Sequence, residues 1–116
     1  MINNYKERFV CIVGAFDDKD AEQKYAQAER ELVNAGFQPD KIFNPAKIFS
    51  SCPKLSIYAK VGLVIDFLEL SMSAYLIGPV EDESKYTYDY AKTLNYIFSC
   101  NPKNRIKTFT NVNEIS

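Results

Sequence analysis

Apolar and polar positions fall into blocks whose spacing changes along the chain. Phe9 to Val13 (FVCIV) is a short apolar run of aromatic and β-branched residues closed by Gly14, which reads as a buried central strand. Ala21, Tyr25, Ala28, Leu32 and Ala35 then recur at steps of four and three, with Glu22, Lys24, Glu29, Arg30 and Glu31 mostly off the stripe. That period predicts a helix. Asp17, Asp18 and Asp20 suit its N-cap and first turn, and Gly36 its left-handed C-cap. Lys41 to Phe43 reads as a brief second strand ended by Asn44-Pro45, and Ala46 to Lys54 as a connecting loop. Pro53 is suited to the first turn of the next helix.

Leu55 to Met72 is too apolar for a helix with one buried face. Only narrow polar strips interrupt it: Gly62, Asp66 and Glu69 on one side, Ser56, Lys60 and Ser71 on the other. Deep burial or a homodimer interface would cover such a helix, and self-association is the reading favoured here. Ala74 to Ile77 gives a third strand, Gly78 to Ser84 a polar loop. In the next helix Thr87, Tyr90, Ala91, Leu94, Ile97 and Phe98 share a face, with Lys85, Asp89, Lys92 and Tyr96 opposite. This spacing sets Asp89 on the solvated side. Arg105 to Thr110 supplies a fourth strand, and residues 1–8 and 111–116 read as loose tails.

Strand, helix, strand in this order predicts right-handed βαβ units. The expected architecture is therefore a single α/β domain over residues 1–116, a three-layer fold with a mostly parallel sheet of four or five strands flanked by helices. Ligands of such sheets bind beyond the carboxyl ends of the strands, which directs attention to Gly14 and to the loop from Gly78 to Ser84.

Composition narrows the chemistry. The 116 residues carry a net charge of -1 with scattered lysines and arginines, so no nucleic-acid face is expected. No apolar run is long enough to span a bilayer, and MINNYKER is not a signal peptide, so a cytoplasmic location is expected. The three cysteines, Cys11, Cys52 and Cys100, are far apart and read as reduced thiols, Cys11 in the core. Histidine is absent, which removes His-activated nucleophiles and His-bound metals. Neither a metal nor a cofactor is expected. Glu81, Asp82 and Glu83 read as an N-capping acidic turn rather than a cation site, and they disfavour phosphate there. Tyr86, Tyr88 and Tyr90, with Phe16, are candidates for stacking on a base, although alternate tyrosines at a helix start cannot all face one way.

Three segments, CIVGAF (Cys11 to Phe16), YAQAERELVNAGF (Tyr25 to Phe37) leading into FNP (Phe43 to Pro45), and Asp66 ahead of AYLI (Ala74 to Ile77), together resemble the nucleoside 2-deoxyribosyltransferase-like superfamily. The likeness is to its small uncharacterised members from phages and their bacterial hosts, and runs over roughly Phe9 to Phe109. It implies a Rossmann/flavodoxin-like fold and cleavage or exchange of the N-glycosidic bond of deoxynucleosides or their monophosphates. It further implies a glutamate nucleophile near the start of the helix after the third strand, an aspartate before that strand, and a serine that receives a phosphate. At the aspartate position stands Ser73 or Ala74, at the glutamate position Thr87 or Tyr90, and Ser84 matches the serine.

The leading expectation is a binding protein for a nucleoside or nucleotide-like small molecule that has lost glycosidic chemistry, with Gly14, Phe16, Asp66, Gly78, Ser84 and Thr87 as ligand-binding residues. One alternative is an active N-glycosidase or deoxyribosyltransferase with Asp89 as nucleophile. The other is a protein-interaction module docking through residues 55–72.

Overall fold

The computed structural model describes residues 4–16, 19–78, 83–101 and 104–115. Four strands, β1 (Val10–Val13), β2 (Ile42–Phe43), β3 (Ser73–Leu76) and β4 (Lys107–Phe109), form an all-parallel sheet in the order β2-β1-β3-β4. Around it run α1 (Ala21–Asn34), α2 (Pro45–Ser50), α3 (Ile57–Leu70) and α4 (Tyr88–Asn95). This is the expected α/β fold of flavodoxin/Rossmann-like type. Every residue of β1 and β3 is buried, because helices cover both faces of a parallel sheet and both strands are central.

Connectivity fixes where a ligand can sit. The chain steps from β1 to β2 in one direction across the sheet, then returns past β1 to β3 and on to β4. Right-handed connections therefore put α1 on one face and α3 with α4 on the other. On the α1 face, the Tyr75 hydroxyl of β3 donates to Glu31 Oε1 of α1 at 2.8 Å. The rings of Phe37, Phe109 and Tyr75 stack in a row on that side, with centroid spacings of 6.1 and 5.0 Å. The direction of winding reverses between β1 and β3, so the crevice of this fold opens at Gly14 and Gly78.

Local chemistry explains the element ends, and several differ from expectation. Gly36 closes α1 with φ of +104°, and the Gly36 and Phe37 N–H groups return to Val33 and Leu32 as a Schellman motif. Asp20 precedes α1 but makes no side-chain capping bond, while Asp17 and Asp18 lie outside the described residues. The expected loop after β2 instead begins with α2. Asn44 Oδ1 accepts the Lys47 N–H at 3.1 Å and Pro45 takes the first helical position, so Asn-Pro starts a helix as well as ending a strand. The start of α3 is set by Ser56, whose Oγ accepts the Ala59 N–H at 3.1 Å, and not by Pro53. Its end is held by Arg105, whose guanidinium donates to the carbonyls of Ser71 at 2.7 Å and Leu68 at 3.1 Å.

Most of the apolar surface of α3 finds cover within the chain. Val61, Val64 and Leu68 are buried, and Phe67 stacks on Phe43 of β2 at 4.8 Å. The strip of Gly62, Asp66 and Glu69 faces outward. After α4 the helix loosens into a π-helical turn, Tyr96–Cys100. The segments outside the sheet carry structure too: Tyr5–Glu7 and Val112–Glu114 are 3-10 turns, and Ile115 joins the core at 5 % exposure. Cys11 is buried as expected, and Cys52 and Cys100 are exposed free thiols. No helix among the described residues is long and apolar enough to cross a membrane.

Candidate functional site

At the switch point lies a cleft of 230 Å³ lined by Gly14 and Ala15 after β1, Ile77 and Gly78 after β3, Lys24 and Tyr25 of α1, Lys85 ahead of α4, and Thr87 and Tyr90 at the start of α4. Both glycines are required by close approach. A Cβ on Gly14 would stand 2.8 Å from Ile77 Cγ1, and one on Gly78 would stand 2.7 Å from two ring carbons of Tyr90. Larger residues at either place would displace the wall opposite. Gly14 is anchored further by its carbonyl, which accepts the Tyr25 hydroxyl at 2.8 Å.

Asp89 does not point to solvent as the helical spacing predicts. It is 2 % exposed, and its Oδ2 accepts the Phe16 N–H at 2.7 Å. Thr93 is buried beside it, its hydroxyl returning to the carbonyls of Asp89 and Tyr90 at 3.1 and 3.0 Å. The inward face of α4 is thus Asp89, Tyr90, Thr93, Leu94 and Ile97, while Phe98 is left exposed. Two polar residues go inside because each has a hydrogen-bond partner there, and pairing removes most of the cost that a hydrophobicity pattern assigns to them. Asp89 ties α4 to the turn after β1 from behind the cleft and is not among the residues lining it.

Of the expected ligand-binding residues, the structure brings Gly14, Gly78 and Thr87 together in the cleft. Thr87 holds the N-cap position of α4, yet its side chain makes no capping bond. Phe16 is turned into the core, its ring tilted against Phe49 at 5.2 Å. Ser84 is exposed in the 3-10 turn Glu83–Lys85, and Asp66 is exposed on α3; neither lines the cleft. Glu81 and Asp82 lie outside the described residues. Among the stacking candidates, Tyr90 alone lines the cleft, its ring meeting that of Tyr86 edge-on at 5.2 Å. Tyr25, Lys24 and Lys85 are further members of the lining, and Tyr25 was hidden by its place in the apolar stripe of α1.

Tyr90 is the chemical anomaly of the site. It is 1 % exposed, and its hydroxyl is buried without a hydrogen-bond partner among the described residues. An unsatisfied buried hydroxyl costs about 1–3 kcal/mol, which makes its position beside a cleft informative. Burial, with Tyr86 adding to it, pushes the phenol up to about 12. Tyr25 is raised as well, first by burial and then by its Coulombic coupling to nearby Cys11, against the lowering effect of its bond to Gly14. Both phenols are therefore neutral at pH 7; the Tyr25 proton is committed to the Gly14 carbonyl, which leaves Tyr25 an acceptor, while Tyr90 keeps its proton to donate. With Thr87 and the Lys24 and Lys85 side chains, they form a set of donors and hydroxyls suited to holding an oxygen-rich polar group. Among the described residues no carboxylate lines the cleft, and no cluster of three or more His, Cys, Asp or Glu side chains able to hold a metal occurs.

Fold and cleft define an α/β protein with a polar pocket at the topological switch point of its sheet. Compared with models of known protein families, with curated proteins and with solved structures, the chain matches none.

Proposed function

We propose that the protein binds a nucleoside- or nucleotide-type small molecule in the switch-point cleft and has given up glycosidic chemistry. The observation that carries this reading is the orphaned Tyr90 hydroxyl beside Gly14, Gly78 and Thr87, a polar group with no partner among the described residues at the place where open α/β sheets receive nucleotides. The resemblance to the deoxyribosyltransferase-like superfamily supports the ligand class. Against turnover by Asp89 stands its environment: a nucleophile has to reach the anomeric carbon, whereas this carboxylate is shut behind the Phe16 backbone. In this reading Asp89 shapes the site and Thr87 or Tyr90 occupies the place of the missing nucleophile.

Thermal unfolding of the protein with nucleosides, mononucleotides, cyclic nucleotides and nucleotide sugars tests the reading. A ligand at about a hundred times its dissociation constant adds roughly 2.7 kcal/mol, a midpoint rise on the order of 5–10 °C for a chain of this size. The expected shift is lost or halved in Thr87→Val. No shift with any member of the panel overturns the proposal. Release of free base from a deoxynucleoside, abolished in Asp89→Asn, would establish the glycosidase instead.

A further inference from the structure

We propose that the ligand does not end inside the cleft but continues over its Lys24 and Ile77 wall into a groove beside α1, and that this groove receives the base. The inference rests on the reading of the cleft as a nucleoside- or nucleotide-type site and adds to it the address of one half of the ligand. Size makes the first step. Sites for small organic ligands run from about 300 to 1,000 Å³, so a cleft of 230 Å³ takes a group the size of a sugar and leaves the remainder of a nucleoside outside.

The remainder has a second cavity adjoining the first. A groove of 450 Å³ lies between α1 and the carboxyl ends of β3 and β4, and it shares Lys24 and Ile77 with the cleft. Gln23, Gln27 and Glu31 follow one another at steps of four along α1 and form one wall, with Thr110 also lining the groove. Ala28, a small residue, joins Tyr75 and Ile77 as its apolar component. Apolar surface edged by amides is the chemistry that accepts a flat heterocycle and reads its rim.

The edge groups carry both senses of hydrogen bond. Each glutamine amide offers donors and an acceptor. Gln27 Oε1 already accepts from Arg30 at 2.6 Å, which leaves its amide N–H groups as donors. Glu31 accepts from Tyr75 at 2.8 Å, and a carboxylate has capacity for further donors such as an exocyclic amine. Thr110 donates to Glu114 at 3.1 Å, so its hydroxyl oxygen keeps only acceptor capacity for a ligand. Mixed donors and acceptors over an apolar floor distinguish a nucleobase from a plain hydrocarbon ring or an anion.

Amide chemical shifts of the labelled full chain, titrated with adenosine, guanosine, cytidine, thymidine and, separately, D-ribose, decide the matter. The expected result is that a nucleoside moves the Gly14 and Gly78 signals together with the side-chain amides of Gln23 and Gln27, whereas ribose moves Gly14 and Gly78 only. Gln27→Ala, at an exposed position, is expected to weaken the nucleoside about fivefold or more and to leave ribose unchanged. Thr110→Trp, which fills the groove from an exposed strand end, is expected to act in the same direction. A nucleoside that moves the cleft signals alone, or binds Gln27→Ala and Thr110→Trp as it binds the parent, overturns the base subsite while the cleft reading stands. No movement with any of the five compounds overturns both.

Discussion

Asp89 and Tyr90 are consecutive on α4 and equally shut off from solvent, yet one polar terminus is paired and the other is not. Their substitutions should therefore move stability in opposite directions. Removing the Asp89 carboxylate leaves the buried Phe16 N–H without its acceptor, and a hydrogen bond to a charged group is worth about 1.5–3 kcal/mol. Asp89→Ala is accordingly expected to lower the urea midpoint by that equivalent, while Asp89→Asn, which retains an acceptor oxygen, loses clearly less. Equal losses in the two variants would show that charge, and not the contact with Phe16, matters there. Tyr90→Phe deletes a hydroxyl that has no partner among the described residues, so the unliganded protein should be unchanged or more stable by about 1 kcal/mol. The same variant should bind ligand more weakly. A destabilised Tyr90→Phe with unaltered binding would assign the hydroxyl to the core and not to the site.

Elements were legible where one physical signal dominates. The apolar run before Gly14, the four-and-three stripe of α1 and the left-handed Gly36 each have a single dominant cause, and all three stand where the pattern predicts. Asn44-Pro45 carried two signals at once, strand end and helix start, and only the first was read from the sequence. The buried face of α4 was illegible for a different reason. Its rotation is set by a hydrogen bond from Phe16, 73 positions away in sequence, which no local periodicity contains. Two of the site residues, Gly14 and Gly78, followed from the rule that ligands meet the ends of strands, and Thr87 from the family resemblance; Tyr25 and Lys24 did not, because α1 shows only its core stripe. Packing between elements gives a test at this scale. Gly78→Ala should push the Tyr90 ring off its seat on the end of β3, at a cost of about 1–3 kcal/mol. Adding Tyr90→Leu should recover part of that loss, and a double-mutant cycle with no coupling energy would show that the two residues do not meet.

For the whole molecule, the buried protonated groups set how stability responds to base, and the exposed part of α3 sets how copies of the chain meet. Burial raises the Cys11 thiol and Tyr25, and pushes Tyr75 and Tyr90 up to about 12 from ordinary values of 9.0 for the thiol and 10.0 for the phenols. Below about pH 8 all four keep their protons in both states and their contribution is complete. Above it the unfolded chain loses protons first, so stability falls through pH 10 to 12, by up to about 1.4 kcal/mol per pH unit for each group that titrates only when unfolded. Denaturant midpoints measured between pH 8 and 11 should decline, and less steeply in Tyr90→Phe; a flat profile would mean that these phenols are not closed off. Self-association remains our proposal for the apolar helix, and the fold says which positions must carry it. Leu63 and Phe67 pack against the core, whereas Tyr58 is 70 % and Leu70 64 % exposed at the two ends of α3. Twelve positions of helix set them about 18 Å apart. An antiparallel pair of α3 helices would lay Tyr58 of one copy on Leu70 of the other and Gly62, which has open space around it, opposite Asp66. A strip roughly 20 Å by 10 Å is far below the about 800 Å² per partner of a stable complex, so the association should be weak, in the high-micromolar range. Sedimentation equilibrium of concentrated protein should therefore give an average mass above that of the monomer, and Tyr58→Lys with Leu70→Lys should return it to the monomer value. Identical masses for the parent and the double variant would remove α3 as the contact.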